Sequence, residues 1–448
     1  MGVETLNIPL PEDLLKLKWN GQFELLKEMI DIRLQKDIPY QLKERLIFER
    51  DIIDMIPQEF PYTKETAIAL LKEKINDFQD KEFDVLFKDN AFEFIFIDSK
   101  IRFKNDFYEN LIKTRKQYAL RNKTSIDTSN YDLLDEVITQ MKQTGELSYK
   151  IHVKVCLKIK KEYEEIGNII KVHLPIPIEY AQVEELNIIK TIPEATLINN
   201  NDQPHRTVYF EVPLQENQEF SVEYEFVNHS IYQELDASIV SDEHPDCCLE
   251  EKLPHIIFTP YLQSLVKDVI GDETNPLLKA KKIYEYITSH VMYSYVRPYI
   301  TLPPIAEYMA TGLKGDCGLQ ALLFITMCRI AKIPACWQAG LYATPKDIGN
   351  HDWARFYIAP YGWLYADCSF GGSGYRNGST LRRDFYFGHL EPFRIPSTSD
   401  FQCSMNPPMK FMRRDPYDNQ TGEVEYIDHR LMSEQYDMYQ EVIEIKEV

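Results

Sequence analysis

Leu313-Lys314-Gly315-Asp316-Cys317-Gly318-Leu319-Gln320-Ala321-Leu322-Leu323 passes from polar, glycine-flanked residues into a nearly unbroken apolar run that continues to Cys328. About ten apolar residues fall well short of the ~20 that span a bilayer, so the run reads as a buried helix, starting near Cys317 and ending before Pro334. A thiol at such a helix start faces exposed backbone N–H groups and the positive end of the helix macrodipole, both of which favour the thiolate. Among the eight cysteines (Cys156, Cys247, Cys248, Cys317, Cys328, Cys336, Cys368, Cys403), Cys317 is therefore the candidate nucleophile.

Two apolar strands are predicted downstream, over 352–358 and 363–368, joined by Ala359-Pro360-Tyr361-Gly362 in a hairpin. A hairpin places His351, at the start of the first strand, and Asp367, near the end of the second, at one end of the ribbon. A carboxylate bonded to one ring nitrogen fixes the imidazole tautomer and steadies its positive charge, leaving the other nitrogen to take a proton from Cys317. Each residue alone is a weak signal. Their joint placement carries the weight. Cys368, adjacent to Asp367, is expected on the opposite strand face and inert.

Gly315-Asp316-Cys317-Gly318 through Leu322, then Arg329-Ile330-Ala331-Lys332-Ile333-Pro334-Ala335, His351-Asp352-Trp353 and Trp363-Leu364-Tyr365-Ala366-Asp367 resemble, in that order, the bacterial transglutaminase-like superfamily. The resemblance covers roughly residues 260–400. It implies a papain-like α+β core with Cys317 as nucleophile, His351 as base and acid, and Asp367 as the orienting carboxylate. Two departures leave substrate preference open: Ala354-Arg355 stands where relatives often have Asn-Glu, and Cys336 where an Arg commonly follows Ile-Pro-Ala. The backbone N–H of Cys317 is the first oxyanion donor to expect. Tyr293 and Tyr295 are candidates for the second, as upstream side chains usually serve in the family, each with the alternative of a core tyrosine. Trp353 is a candidate cleft wall or ordinary hairpin packing. The glycines of 371–378 permit either a mobile flap beside Asp367 or a plain surface loop.

Outward from this region, 448 residues suggest two or three domains, and 44% hydrophobic content is ample for folded cores. Helical spacing of Phe23, Leu26, Ile30 and Leu34, and of Ile68, Leu71, Ile75 and Phe78, predicts an N-terminal helical domain over 1–130. Its basic stretch, 100–123, reads as a solvated face or a dock for the acidic remainder, and 121–130 as a linker. Alternation of Ile151, Val153, Val155, Leu157 and Ile159 with polar residues, repeated at Val208, Phe210, Val212 and at Phe220, Val222, Tyr224, Phe226, predicts an antiparallel β-sandwich over 145–235. The catalytic core with a C-terminal extension follows over 250–448.

A net charge of −20 argues against nucleic acid and against an anionic membrane surface as partners. The N-terminus lacks a basic region followed by an apolar one, and the cysteines are sparse, so a cytoplasmic chain with reduced thiols is expected. No cofactor is called for, and no metal. Cys247 and Cys248 are adjacent and would not both reach one tetrahedral zinc beside His244, Asp246 and His255, and 415–423 lacks EF-hand spacing and reads as a turn. The functional expectation is a thiol enzyme acting on a peptide or protein amide through a thioester, with hydrolysis preferred. Transamidation is the alternative, as is a silent scaffold whose N-terminal helices meet a protein partner.

Overall fold

The computed structural model describes residues 3–124, 129–302 and 304–448. The chain forms two compact units. The first comprises Met1–Asp127, Lys252–His255 and Met292–Asp316, and the second the rest.

The first unit is mostly helical, as its periodicity predicts. Its buried cluster gathers Leu71, Ile75, Phe78, Phe83, Phe92, Phe103, Phe107 and Leu111, with stacked and edge-on rings such as Phe83 on Phe92 at 4.9 Å. A hairpin of Phe94–Ile97 with Lys100–Phe103 was not predicted; it turns through Asp98 and Ser99, both in the left-handed region, the conformation a two-residue hairpin turn requires. The basic stretch finds acids within this unit, Arg121 on Glu82 at 2.6 Å and Arg115 on Asp89 at 2.6 Å. Of the expected linker, 125–128 lie outside the described residues, and a helix, Ser129–Thr144, already covers its end.

In the second unit the sandwich consists of two four-stranded antiparallel sheets. One runs in the order Tyr436–Glu447, Glu146–Ile159, Glu219–Ile231, Val183–Ile192; the other Glu423–Tyr426, Ile169–Pro175, Thr207–Pro213, Leu197–Ile198. Period-two patterning fixes the register. Val153 lies opposite Tyr224, Val155 opposite Val222 and Leu157 opposite Phe220, all buried and each stabilising by roughly 1.5–3 kcal/mol. The intervening residues face out and pair by charge, Lys150 with Glu225 and Lys154 with Glu219. Two of the eight strands come from the C-terminus, beyond the predicted sandwich.

The remaining sheet is five-stranded and antiparallel, ordered Phe387–Gly388, Gly362–Ala366, Ile348–Ile358, Ala335–Ala343, Arg394–Thr398. Leu341, Ala343 and Ile395 of this sheet belong to the same buried cluster as the sandwich strands, so sandwich and core share one hydrophobic interior. Helices Pro260–Ile270, Pro276–His290 and Cys317–Ile330 complete the core. The last is buried from Gly318 to Arg329 and sets Phe324 edge-on to Phe356 of the sheet at 5.5 Å. It ends as predicted, with Lys332 in the left-handed region and Ile333 N–H bonded to Cys328 O at 2.9 Å, closing its last turn.

The glycine-rich segment is neither a flap nor a surface loop. Cys368–Asn377 is a helix whose Gly371, Gly372 and Gly374 are buried. A Cβ on Gly371 would lie 1.7 Å from the Tyr284 hydroxyl, so the glycine is there to let this helix approach Pro276–His290. Cys368 accordingly begins a helix rather than ending a strand.

Candidate active site

The hairpin register pairs Ile358 with Gly362 and Ala354 with Ala366, which brings His351 and Asp367 to the same end of the ribbon. His351 Nε2 meets Asp367 Oδ2 at 2.7 Å, with both side chains buried. The strand stops at Ala366 because Asp367 changes role: its Oδ1 accepts the Phe370 N–H at 2.8 Å and caps the glycine helix. One carboxylate thus starts a helix with one oxygen and orients an imidazole with the other.

A third partner completes this arrangement. Arg394 Nη1 lies 2.9 Å from Asp367 Oδ2, while its Nε and Nη2 grip Glu391 at 2.8 and 3.1 Å. The guanidinium is fully buried among the rings of Phe370, Trp353, Tyr342 and Tyr386, 4.6 to 5.8 Å from their centres. It reaches the site because its strand approaches Gly340, which lies opposite His351. A Cβ on Gly340 would stand 1.9 Å from Ile395 O. Burial raises the Asp367 pKa, but the charges of His351 and Arg394 outweigh it and hold the carboxyl below its ordinary value. Asp367 is therefore a dependable anion, able to steady an imidazolium.

The imidazole is fixed on its faces as well. His351 lies 4.7 Å from the Phe370 ring and 6.0 Å from Trp353. Trp353 is fully buried, and its indole N–H donates to Gln338 Oε1 at 2.6 Å. Gln338 in turn is held by Gln182 at 3.2 Å and donates to the Tyr180 hydroxyl at 2.8 Å. Trp353 supports the imidazole from beneath, as buried packing.

Cys317 begins its helix and is half-buried. Its thiol donates to Asp352 Oδ2 at 3.2 Å, so the sulfur meets the residue next to His351 on the same strand. Asp352 is held in turn by Gln420, whose side-chain amide donates to its Oδ1 and, at 3.1 Å, to His351 O. Asp418 is buried beside it and hydrogen-bonded to it. Burial, with Asp415 and Asp352 nearby, pushes the Asp418 carboxyl well above its ordinary pKa. By contrast Cys368 is buried, and desolvation followed by the Asp367 charge lifts its thiol far above the usual range, which makes it inert.

Tyr293 and Tyr295 belong to the first unit. There they stand edge-on to each other at 5.6 Å, with the Lys113 ammonium 4.1 and 5.0 Å from their rings. Among the described residues no group of three or more His, Cys, Asp or Glu side chains is placed to hold a metal, and no helix is long and apolar enough to cross a membrane.

Arg394, Asp352, Asp418 and Gln420 are the participants that sequence reading missed. A lone arginine inside Pro392-Phe393-Arg394-Ile395-Pro396 is the one local signal, since a charge in an apolar run needs a partner.

Residues 263–368, which contain Cys317, His351 and Asp367, match the family model of the transglutaminase-like superfamily. A solved structure named "Putative Cysteine Protease from Cytophaga hutchinsonii" is similar at 17% identity, over 67% of this chain and 92% of that one, with a TM-score of 0.44. The periplasmic domain of TgpA from Pseudomonas aeruginosa is similar at 13% identity, over 55% of this chain and 95% of that one, with a TM-score of 0.30. No curated protein matches the chain.

Proposed function

We propose that this chain, which carries a transglutaminase-like core at residues 263–368, is a thiol enzyme that cleaves an amide bond of a peptide or protein through a thioester on Cys317. The observation that carries the reading is the buried His351–Asp367 pair, at 2.7 Å and backed by Arg394, on the strand that also meets the Cys317 thiol. With Nε2 committed to Asp367, Nδ1 is the nitrogen that exchanges a proton.

In the first half-reaction His351 Nδ1 takes the S–H proton, and the sulfur lone pair forms a bond to the amide carbon. The C=O electron pair moves onto oxygen, facing the backbone N–H of Cys317. Collapse of this intermediate expels the amine, which leaves with the proton from His351. Water then attacks the thioester, giving a proton to the same nitrogen; the C–S bond breaks with its electron pair on sulfur, which takes that proton back from His351 as the acid is released. A primary amine in place of water would give transamidation.

The deciding experiment presents the full chain with a peptide library and measures released amine alongside incorporation of a fluorescent primary amine. Amine release matched by new carboxylate, absent in Cys317→Ala, is the expected result. Incorporation exceeding hydrolysis would overturn hydrolysis as the outcome, and unchanged turnover by Cys317→Ala would overturn the mechanism.

A further inference from the structure

Cys317 has a partner outside the Cys-His-Asp set. Its Sγ is 3.2 Å from Asp352 Oδ2, and Asp352 is itself almost fully buried. Gln420 donates to Oδ1 of the same carboxylate and to the backbone oxygen of His351, so Asp352 is fixed from both sides. We propose that Asp352 is a positioning residue that holds the resting Cys317 as a neutral thiol, so that thiolate appears only as the proton passes to His351 during attack. The proposal rests on Cys317 being the nucleophile.

Two buried carboxyls in contact do not both ionise; one keeps a proton. Asp418 is the member that keeps it, because Asp415 adds a further like charge beside its buried carboxyl, and Arg413 only partly offsets this. A neutral Asp418 can donate to Asp352 and leave Asp352 as the anion. An anion accepting the S–H bond favours thiol over thiolate, against the helix macrodipole, which favours thiolate. Other charged groups near Cys317 and Asp352 include Asp316, the residue before Cys317 in the chain, His351 on the same strand as Asp352, then Asp367 and Arg394 behind it. His351 can receive the proton, and Arg394 balances Asp367. At the start of the reaction the S–H bond breaks with its electron pair left on sulfur, and the N–H bond forms on His351. Asp352 neither gains nor loses a proton.

The test is the pH dependence of Cys317 alkylation by iodoacetamide, resolved by site with mass spectrometry on the full chain. Asp352→Asn keeps the shape and removes the charge. Its labelling midpoint should fall by about one to two pH units, which is roughly 10- to 100-fold faster labelling below both midpoints. Asp418→Asn retains a donor toward Asp352 and should keep the wild-type midpoint. Should Asp352→Asn fail to fold, Asp352→Ser removes the same charge and carries the same expectation. A midpoint that stays put or rises while turnover still needs Cys317 overturns the role of Asp352 alone. Turnover surviving Cys317→Ala overturns the nucleophile reading, and the role of Asp352 with it.

Discussion

Gly371→Ala should destabilise the protein, although alanine is the better helix former. The new Cβ would lie 1.7 Å from the Tyr284 hydroxyl, 2.6 Å from its Cζ and 3.3 Å from Thr288 Cγ2. Tyr284 cannot simply swing aside, because it is buried, donates to Arg383 O at 2.7 Å and packs on Phe387 at 5.4 Å. Overpacking of this kind costs about 1–3 kcal/mol. Displacing the hydroxyl forfeits a further ~1 kcal/mol of hydrogen bonding, while the helix-propensity gain returns only about 1 kcal/mol. The net expectation is a loss near 2 kcal/mol, read as a lower urea midpoint with an unchanged slope. Pairing it with Tyr284→Phe removes the nearest atom, so the double variant should lose less than the two singles together. A Gly371→Ala protein as stable as wild type, or more so, would refute the close helix approach and restore a mobile segment beside Asp367.

Other substitutions probe the buried charges. Arg394→Met strips Asp367 and Glu391 of their shared cation and should cost about 3–5 kcal/mol, seen as a large fall in thermal midpoint; a shift within error would mean the guanidinium is dispensable. Asp367→Asn should lower turnover by about three to four orders of magnitude, because the amide no longer fixes the imidazole tautomer or steadies its charge, and near-normal kcat would contradict that role. His173 and His389 are buried, and desolvation lowers their pKa to about 3 and about 4. Their folded values lie below the ordinary 6.5, so the unfolded chain takes up protons that the folded one refuses. Stability from these two groups is complete above pH 6.5 and falls by about 1.4 kcal/mol per pH unit for each group down toward pH 4. His389→Gln should flatten the urea midpoint against pH between 6.5 and 5, whereas an unchanged slope would rule His389 out.

The elements legible in the sequence are those decided by neighbours in the chain. The Cys317 helix follows from its apolar run and from Pro334, the hairpin from alternation and a four-residue turn, and the sandwich from period-two patterning. The convergence of His351 and Asp367 follows from the hairpin alone. What escaped depends on distant partners. The strand Tyr436–Glu447 pairs with Glu146–Ile159 across roughly two thirds of the chain, and its own alternation of charged and apolar residues gives no sign of which edge it will cover. Glycine content at 371–378 signals freedom only where nothing packs on it, and Tyr284, far upstream, is what converts those glycines into a contact surface. Gln420 and Asp418 sit in a stretch that reads as a turn, and only the folded loop brings them to Asp352.

The reading of Cys317 as an acylated nucleophile is tested most directly by acid-quenching a turning-over mixture and locating the acyl group by mass spectrometry. The expected result is one hydroxylamine-labile acyl group on Cys317, absent from Cys317→Ala and strongly reduced in His351→Ala. Turnover that proceeds with no adduct on Cys317, or that survives Cys317→Ala, would contradict it.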